Sequence, residues 1–418
     1  MKQDAYFWIL LPIFVAMSGN LAPFRVGPIL PIFFLLMAFS ILNAQTIVNY
    51  FHREKRVFYA AIAMGVFFVA FTLHPMPGLG LRGDEFLGAT NPVFYAISTF
   101  LRYAICLCSL LTLAHKPYPI TGLIRSSLLT TFFILLIPMV LQFLLQIMFG
   151  MDFGFVFHTG TGTRYGGLIG EPQTAAAWLT CVFFVLYTIE RRTGFPQSPM
   201  AWLLLGCQIL VLLLTSSTAW ILAFGIFMLL RLQRKMMLVF GAASVAALPV
   251  LGATIIQKLN AELFQISERS VTIVAGFQAF SVDLRTILFG YGVGLSPYLL
   301  GASEIFQLFP DLNLSSLGRQ NVMNSYLEII FEFGVIGAPL FFFLFFRASK
   351  IDRWTTAFAI APVIVGISGV GGGFAAGYLL LAVPLLARLN ARENPGRLSP
   401  QTRYRLVPTA PPQAAAQP

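Results

Sequence analysis

Charge is scarce in this chain: Asp, Glu, Lys and Arg together make up 10% of 418 residues, whereas a soluble domain carries roughly 25%. A water-soluble globular enzyme is excluded on that ground. Histidine is rarer still, and His52, His74, His115 and His158 stand apart, without the spacing a metal needs. The four cysteines, Cys106, Cys108, Cys181 and Cys207, all lie inside apolar runs and form no CxxC pair. A disulfide scaffold, a thiolate metal site and a redox motif are therefore not expected. No P-loop, dinucleotide fingerprint or Ser-His-Asp order occurs. The sequence implies neither a metal nor a cofactor.

What fills the chain instead is apolar: 57% of residues are hydrophobic and 42 are Phe, with a mean hydropathy of +0.80. A span needs about 20 such residues, and about twelve candidate stretches follow one another. They are 6–20, 26–49, 57–75, 93–114, 127–149, 173–189, 199–214, 218–231, 236–256, 324–346, 354–371 and 373–388. The expected fold is an all-α polytopic membrane protein. Residues 1–389 form its transmembrane domain, and 390–418, rich in Pro, Ala, Gln and Arg, form a disordered tail. Residues 1–18 carry a lysine and an apolar stretch with no small-residue cleavage site, and read as a retained first span, with a signal peptide as the alternative.

The formal net charge is +11. In a soluble protein that would suggest nucleic acid, but here topology accounts for it, and nucleic-acid binding is not expected. With a cytoplasmic N-terminus, alternate loops collect Arg53-Glu54-Lys55-Arg56, Lys116 with Arg125, Arg191-Arg192, Arg231 with Arg234-Lys235, Arg347, Lys350 and Arg353, and the tail. About 19 of the 27 basic residues then lie inside, as insertion energetics favour. Both termini are cytoplasmic on this reading. The opposite face carries long connections, the longest of about 65 residues over 257–323, which in a compact protein points to function. That stretch is too apolar for disorder and reads as helices lying on the membrane face.

Charges within spans are costly and usually face a bundle interior or an aqueous path. Arg102 sits near the middle of 93–114; Glu328 and Glu332 lie in the span that begins near Asn324. Arg102 reads either as a clamp for an anionic substrate or as an ion pair with one of these glutamates. On a helix, Asn321, Asn324, Ser325, Glu328 and Glu332 form one polar stripe. Glu328 falls roughly 6 Å below Asn324, so it is reachable from the outer face as a general base, or else is a carboxylate bonded within the bundle.

The string Arg164-Tyr165-Gly166-Gly167-Leu168-Ile169-Gly170-Glu171-Pro172-Gln173 combines a cation, three glycines and a carboxylate. Glycines such as Gly166 and Gly167 let backbone N–H groups approach phosphate oxygens, and arginine offers a fork that matches a diphosphate. A re-entrant turn with a surface arginine is the alternative. A second cation, Arg269, follows Glu268 and precedes Gly290-Tyr291-Gly292-Val293-Gly294, which reads as a turn. Arg269 either converges with Arg164 on one anion or belongs to an interfacial helix.

Three blocks together resemble the O-antigen ligase and polymerase superfamily of membrane glycosyltransferases. They are 164–173; Glu268-Arg269 through the glycines at 290, 292 and 294; and Met323-Asn324-Ser325-Tyr326-Leu327-Glu328 through Glu332, Gly334 and Gly337. The resemblance covers roughly 120–350. It implies a GT-C-like membrane fold with a long, partly helical periplasmic loop, and a metal-independent glycosyltransferase of the bacterial inner membrane using an undecaprenyl-diphosphate-linked oligosaccharide. Carried over by position, Arg164 and Arg269 would neutralise the diphosphate, and Glu171 or Glu328 would serve as the base. Gly166, Gly167, Asn324, Tyr326 and Arg102 would line the substrate. A chain-length regulator and membrane lipids are the implied partners. Two departures stand out: Met323 replaces the histidine of the ligases, and Ser216-Ser217-Thr218-Ala219-Trp220 lacks a second family arginine. Both favour a polymerase over a ligase, with a polyprenyl-sugar transporter as the alternative from another class.

Overall fold

The computed structural model describes residues 2–18, 31–72, 92–115, 122–152, 156–159, 162–169, 172–194, 199–231, 268–296 and 325–348. In chain order the helices are α1 (Lys2–Met17), α2 (Pro31–Leu42), α3 (Ala44–Arg53), α4 (Lys55–Phe71), α5 (Pro92–His115) and α6 (Gly122–Phe149). After the strands β1 (Val156–Thr159) and β2 (Gly162–Tyr165) come α7 (Pro172–Gly194), α8 (Pro199–Thr215), α9 (Thr218–Arg231), α10 (Glu268–Phe280), α11 (Leu284–Phe289) and α12 (Ser325–Ala348). Four helices, α2, α5, α7 and α8, open on proline. Its missing N–H costs nothing there and its fixed φ suits the first turn.

Three of the described helices are long and apolar enough to cross a membrane: Val93–His115, Gly122–Phe149 and Tyr326–Phe345. The pair α2 and α3, bent by 66°, makes a fourth if taken as one span. The protein is thus a helical membrane protein. The expected spans 236–256, 354–371 and 373–388, and the tail 390–418, lie outside the described residues, as does most of 257–323.

Within the expected span 26–49 the chain bends at Asn43. That side chain is buried and donates to the Phe39 carbonyl at 2.8 Å and to Asp4 at 3.3 Å. A short amide bonding its own helix offers the backbone an alternative to continuing it. The mostly helical fold carries one short hairpin among the described residues: β1 and β2 pair antiparallel, with Phe157 opposite Arg164 and Thr159 opposite Gly162.

The larger core surrounds α7, in which every residue from 175 to 187 is buried. A helix apolar on all sides belongs at the centre of a bundle, and α6, α8 and α9 pack around it. A second core joins α3, α4, α5 and α12 through Tyr50, Phe67, Phe68, Tyr103, Phe333 and Phe341. Cross-helix bonds sort the ends of the bundle. Arg125 pairs with buried Glu190, Arg347 with Glu54 at 3.4 Å, and the Tyr50 and His115 rings meet at 4.1 Å, all at one end. At the other end Ser18 accepts from the Ile32 amide at 2.9 Å and Thr72 from the Val293 amide at 3.2 Å.

Candidate functional site

Two constructions occupy that second end, and each contains one of the glycine blocks. The first is the hairpin and the turn after it. Two glutamines one turn apart on α6 hold it: Gln146 accepts from the Tyr165 hydroxyl, and Gln142 accepts from the Gly167 amide at 2.9 Å. Gly167 has φ +57, and a Cβ there would stand 3.2 Å from the Leu135 carbonyl and 3.3 Å from the Met139 amide. Met139 lies ten residues before Phe149, so the turn reaches roughly 15 Å down the helix. The glycine turn is therefore re-entrant. It places Gly166 and Gly167 in buried surroundings and leaves Arg164 half-buried on β2.

The Gln142 carbonyl is the partner of a buried N–H deep in the bundle, so Gln142→Leu is expected to cost about 1–3 kcal/mol. Hydrogen exchange at the Gly167 amide checks this: protection should fall there while that of α7 is retained.

The second construction joins the outer loop to a broken helix. α12 is interrupted at Gly334, with φ 70 and ψ 179, a conformation open essentially to glycine alone. The break exposes the carbonyls of Phe331 and Glu332, which accept from the amides of Tyr291 and Gly292 at 3.0 and 3.2 Å. Gly290 (φ 78) and Gly334 face each other so closely that a Cβ on Gly290 would lie 2.2 Å from the Glu332 carbonyl oxygen. A Cβ on Gly334 would lie 2.4 Å from the Gly290 nitrogen. The second and third sequence blocks are thus one interlocked unit.

The Glu332 side chain completes the unit. Its Oε1 accepts from the Gly294 amide at 2.9 Å and from the Ser296 hydroxyl at 2.9 Å. Burial, and secondarily the Glu332 charge, push the Tyr291 phenol well above its ordinary value, so it remains an O–H. Because Ser296 spends its proton on Glu332, the 2.9 Å contact between Tyr291 and Ser296 has Tyr291 as donor. Below the loop, Gly294 sits on Thr99, whose hydroxyl accepts from Arg102 Nη2 at 2.8 Å. Glu328 and Glu332 are 4% and 2% exposed, and Arg102 acts electrostatically on Glu332 and on Tyr95. The stripe on α12 is therefore turned into protein at both glutamates. α11 leads into the loop and is capped by Asp283, whose carboxylate accepts from the Thr286 amide at 2.6 Å and is held below its usual range by that bond.

Of the other sequence candidates, Tyr326 stacks on Phe342 at 5.9 Å between ring centroids. Arg269 is the second residue of α10, which packs on α12 through Phe280 and Phe331; the Arg269 side chain lies outside the described residues. Glu171, Asn321 and Asn324 lie outside them entirely. No cluster of three or more metal-ligating side chains occurs among the described residues.

Sequence reading missed Gln142, Gln146, Thr72 and Thr99. The two glutamines carried a signal, since paired amides in an apolar span call for a partner. So did the hairpin: 155–165 is β-branched and aromatic, with a Thr-Gly repeat. Thr72 carried none, because its partner is 221 residues away. No protein-family model matches this chain, and no curated protein does either.

Proposed function

We propose that this chain is a polysaccharide polymerase of the bacterial cytoplasmic membrane, with about twelve spans in all, both termini cytoplasmic and its site on the periplasmic side. The acceptor sugar hydroxyl attacks the anomeric carbon of a glycan held on undecaprenyl diphosphate. The bond from that carbon to the phosphate oxygen breaks, and the diphosphate lipid departs with the electron pair. Arg164 and Arg269 neutralise the departing diphosphate, a role that needs no metal. The hydroxyl proton passes to a carboxylate, Glu171 or Glu328.

The interlock of Gly290 with Gly334 carries this reading, because it makes one built unit of two blocks that lie far apart in sequence. The hairpin bearing Arg164 lies at the same end of the bundle, which supports a shared site. The test is purified protein in liposomes with lipid-linked repeat units. Wild type should yield a ladder of oligomers, and Arg164→Ala and Arg269→Ala should each slow it by about 10²-fold or more. Full activity in both variants would remove the arginine assignment. Transfer only to a lipid A core acceptor would make the protein a ligase, and substrate movement without bond formation would make it a transporter.

A further inference from the structure

We infer that Glu332 is a positioning residue: through Oε1 it seats segment 290–296 against the first half of α12, and so sets where Thr99 and Arg102 stand relative to Glu328. Its consequence for turnover rests on the polymerase reading; its role in seating the segment does not. Two donors from one loop, the Gly294 amide and the Ser296 hydroxyl, converge on a single oxygen. Such convergence asks for an acceptor with two lone pairs, which a carbonyl also provides. The other oxygen, Oε2, is buried and accepts no hydrogen bond among the described residues. The carboxylate therefore serves the loop with one atom.

The seat is transmitted inward by contact. Gly294 lies against the Thr99 hydroxyl and the Ala96 Cα, so displacing the loop frees Thr99, and Thr99 is a hydrogen-bond partner of Arg102. Glu328 stands one turn before Glu332 on the same half-helix. The break at Gly334 isolates that half-helix from the rest of α12, which makes its tilt depend on the loop docked into the break. Thr72 adds a third attachment, through the Val293 amide.

The test compares Glu332→Gln, which keeps the accepting oxygen, with Glu332→Leu, which removes it. Hydrogen exchange on the full-length protein in lipid nanodiscs reads the seat directly. In Glu332→Leu the Gly294 amide should lose protection by at least about tenfold, while in Glu332→Gln it stays within about threefold of wild type. Ser296→Ala removes one donor only and should give an intermediate loss, which keeps the measurement informative if Glu332→Leu does not fold. In the polymerisation assay kcat should fall about tenfold in Glu332→Leu, with KM little changed, and Glu332→Gln should restore it. Equal damage from Gln and Leu would show that charge, not acceptance, is what matters. Unchanged protection in Glu332→Leu and in Ser296→Ala would end the inference. Should wild type make no polymer, the exchange measurements still decide the seat, and only the polymerase reading falls.

Discussion

Gly334→Ala is expected to destabilise the protein by about 4 kcal/mol or more, and Gly290→Ala by a similar amount. Two costs combine at each position. A non-glycine residue at φ 70 and ψ 179 is strained whatever surrounds it. The added Cβ would also stand 2.4 Å from the Leu288 carbonyl oxygen and 2.4 Å from the Gly290 nitrogen, and neither is a side chain that can swing aside. Relief requires the loop to leave the break, which strands the Phe331 and Glu332 carbonyls and unstacks Phe289 from Phe71, now 4.1 Å apart. Gly337→Ala is the control. It lies on the same helix at an ordinary φ, and its added Cβ would meet side-chain atoms alone, the tip of the Phe67 ring at 2.8 Å and the Phe333 Cβ at 3.1 Å. Thermal unfolding in detergent, followed by size-exclusion yield, should separate the first two variants sharply from the third. Equal behaviour of all three would mean that the interlock is not what holds the loop.

How much of this was legible beforehand depends on the range of each interaction. The spans at 93–114 and 127–149 were readable because hydropathy is a local property, and they differ from the described helices by a few residues at their ends. The stripe through Glu328 and Glu332 was readable for the same reason, since helical periodicity fixes which residues share a face. The bend at Asn43 was not, because an asparagine inside an apolar run breaks a helix only when a partner such as Asp4 is brought to it. The glycines at 290, 292 and 294 announced a turn, yet nothing local says that Gly290 requires Gly334, 44 positions later. Sequence reading placed the chemistry in separate loops. Packing makes one unit of two of those blocks and adds threonines and glutamines that have no motif of their own.

Arg102→Leu is expected to cost about 3–5 kcal/mol, because it leaves Glu332 buried without the guanidinium that acts on it. The choice between an anion clamp and a structural cation turns on local charge. Among the described residues Arg102 shares the neighbourhood of Tyr95 and Tyr103 with two buried carboxylates, Glu328 and Glu332, and an incoming diphosphate would meet both. In a low-dielectric interior that repulsion outweighs what a single arginine already engaged with Thr99 can return. The structural role accordingly predicts coupling: adding Glu332→Gln to Arg102→Leu should recover about 1–2 kcal/mol of the loss, since the stranded charge is then removed. A clamp predicts the opposite pattern, with a folded Arg102→Leu protein, a raised KM and additive effects in the double variant. Thermal unfolding of the four proteins in the cycle, read beside their KM values, distinguishes the two. If coupling is found, the cation for the diphosphate must come from Arg164 and Arg269, and the guanidinium at 102 serves the packing of α5 against the glutamate-bearing half of α12.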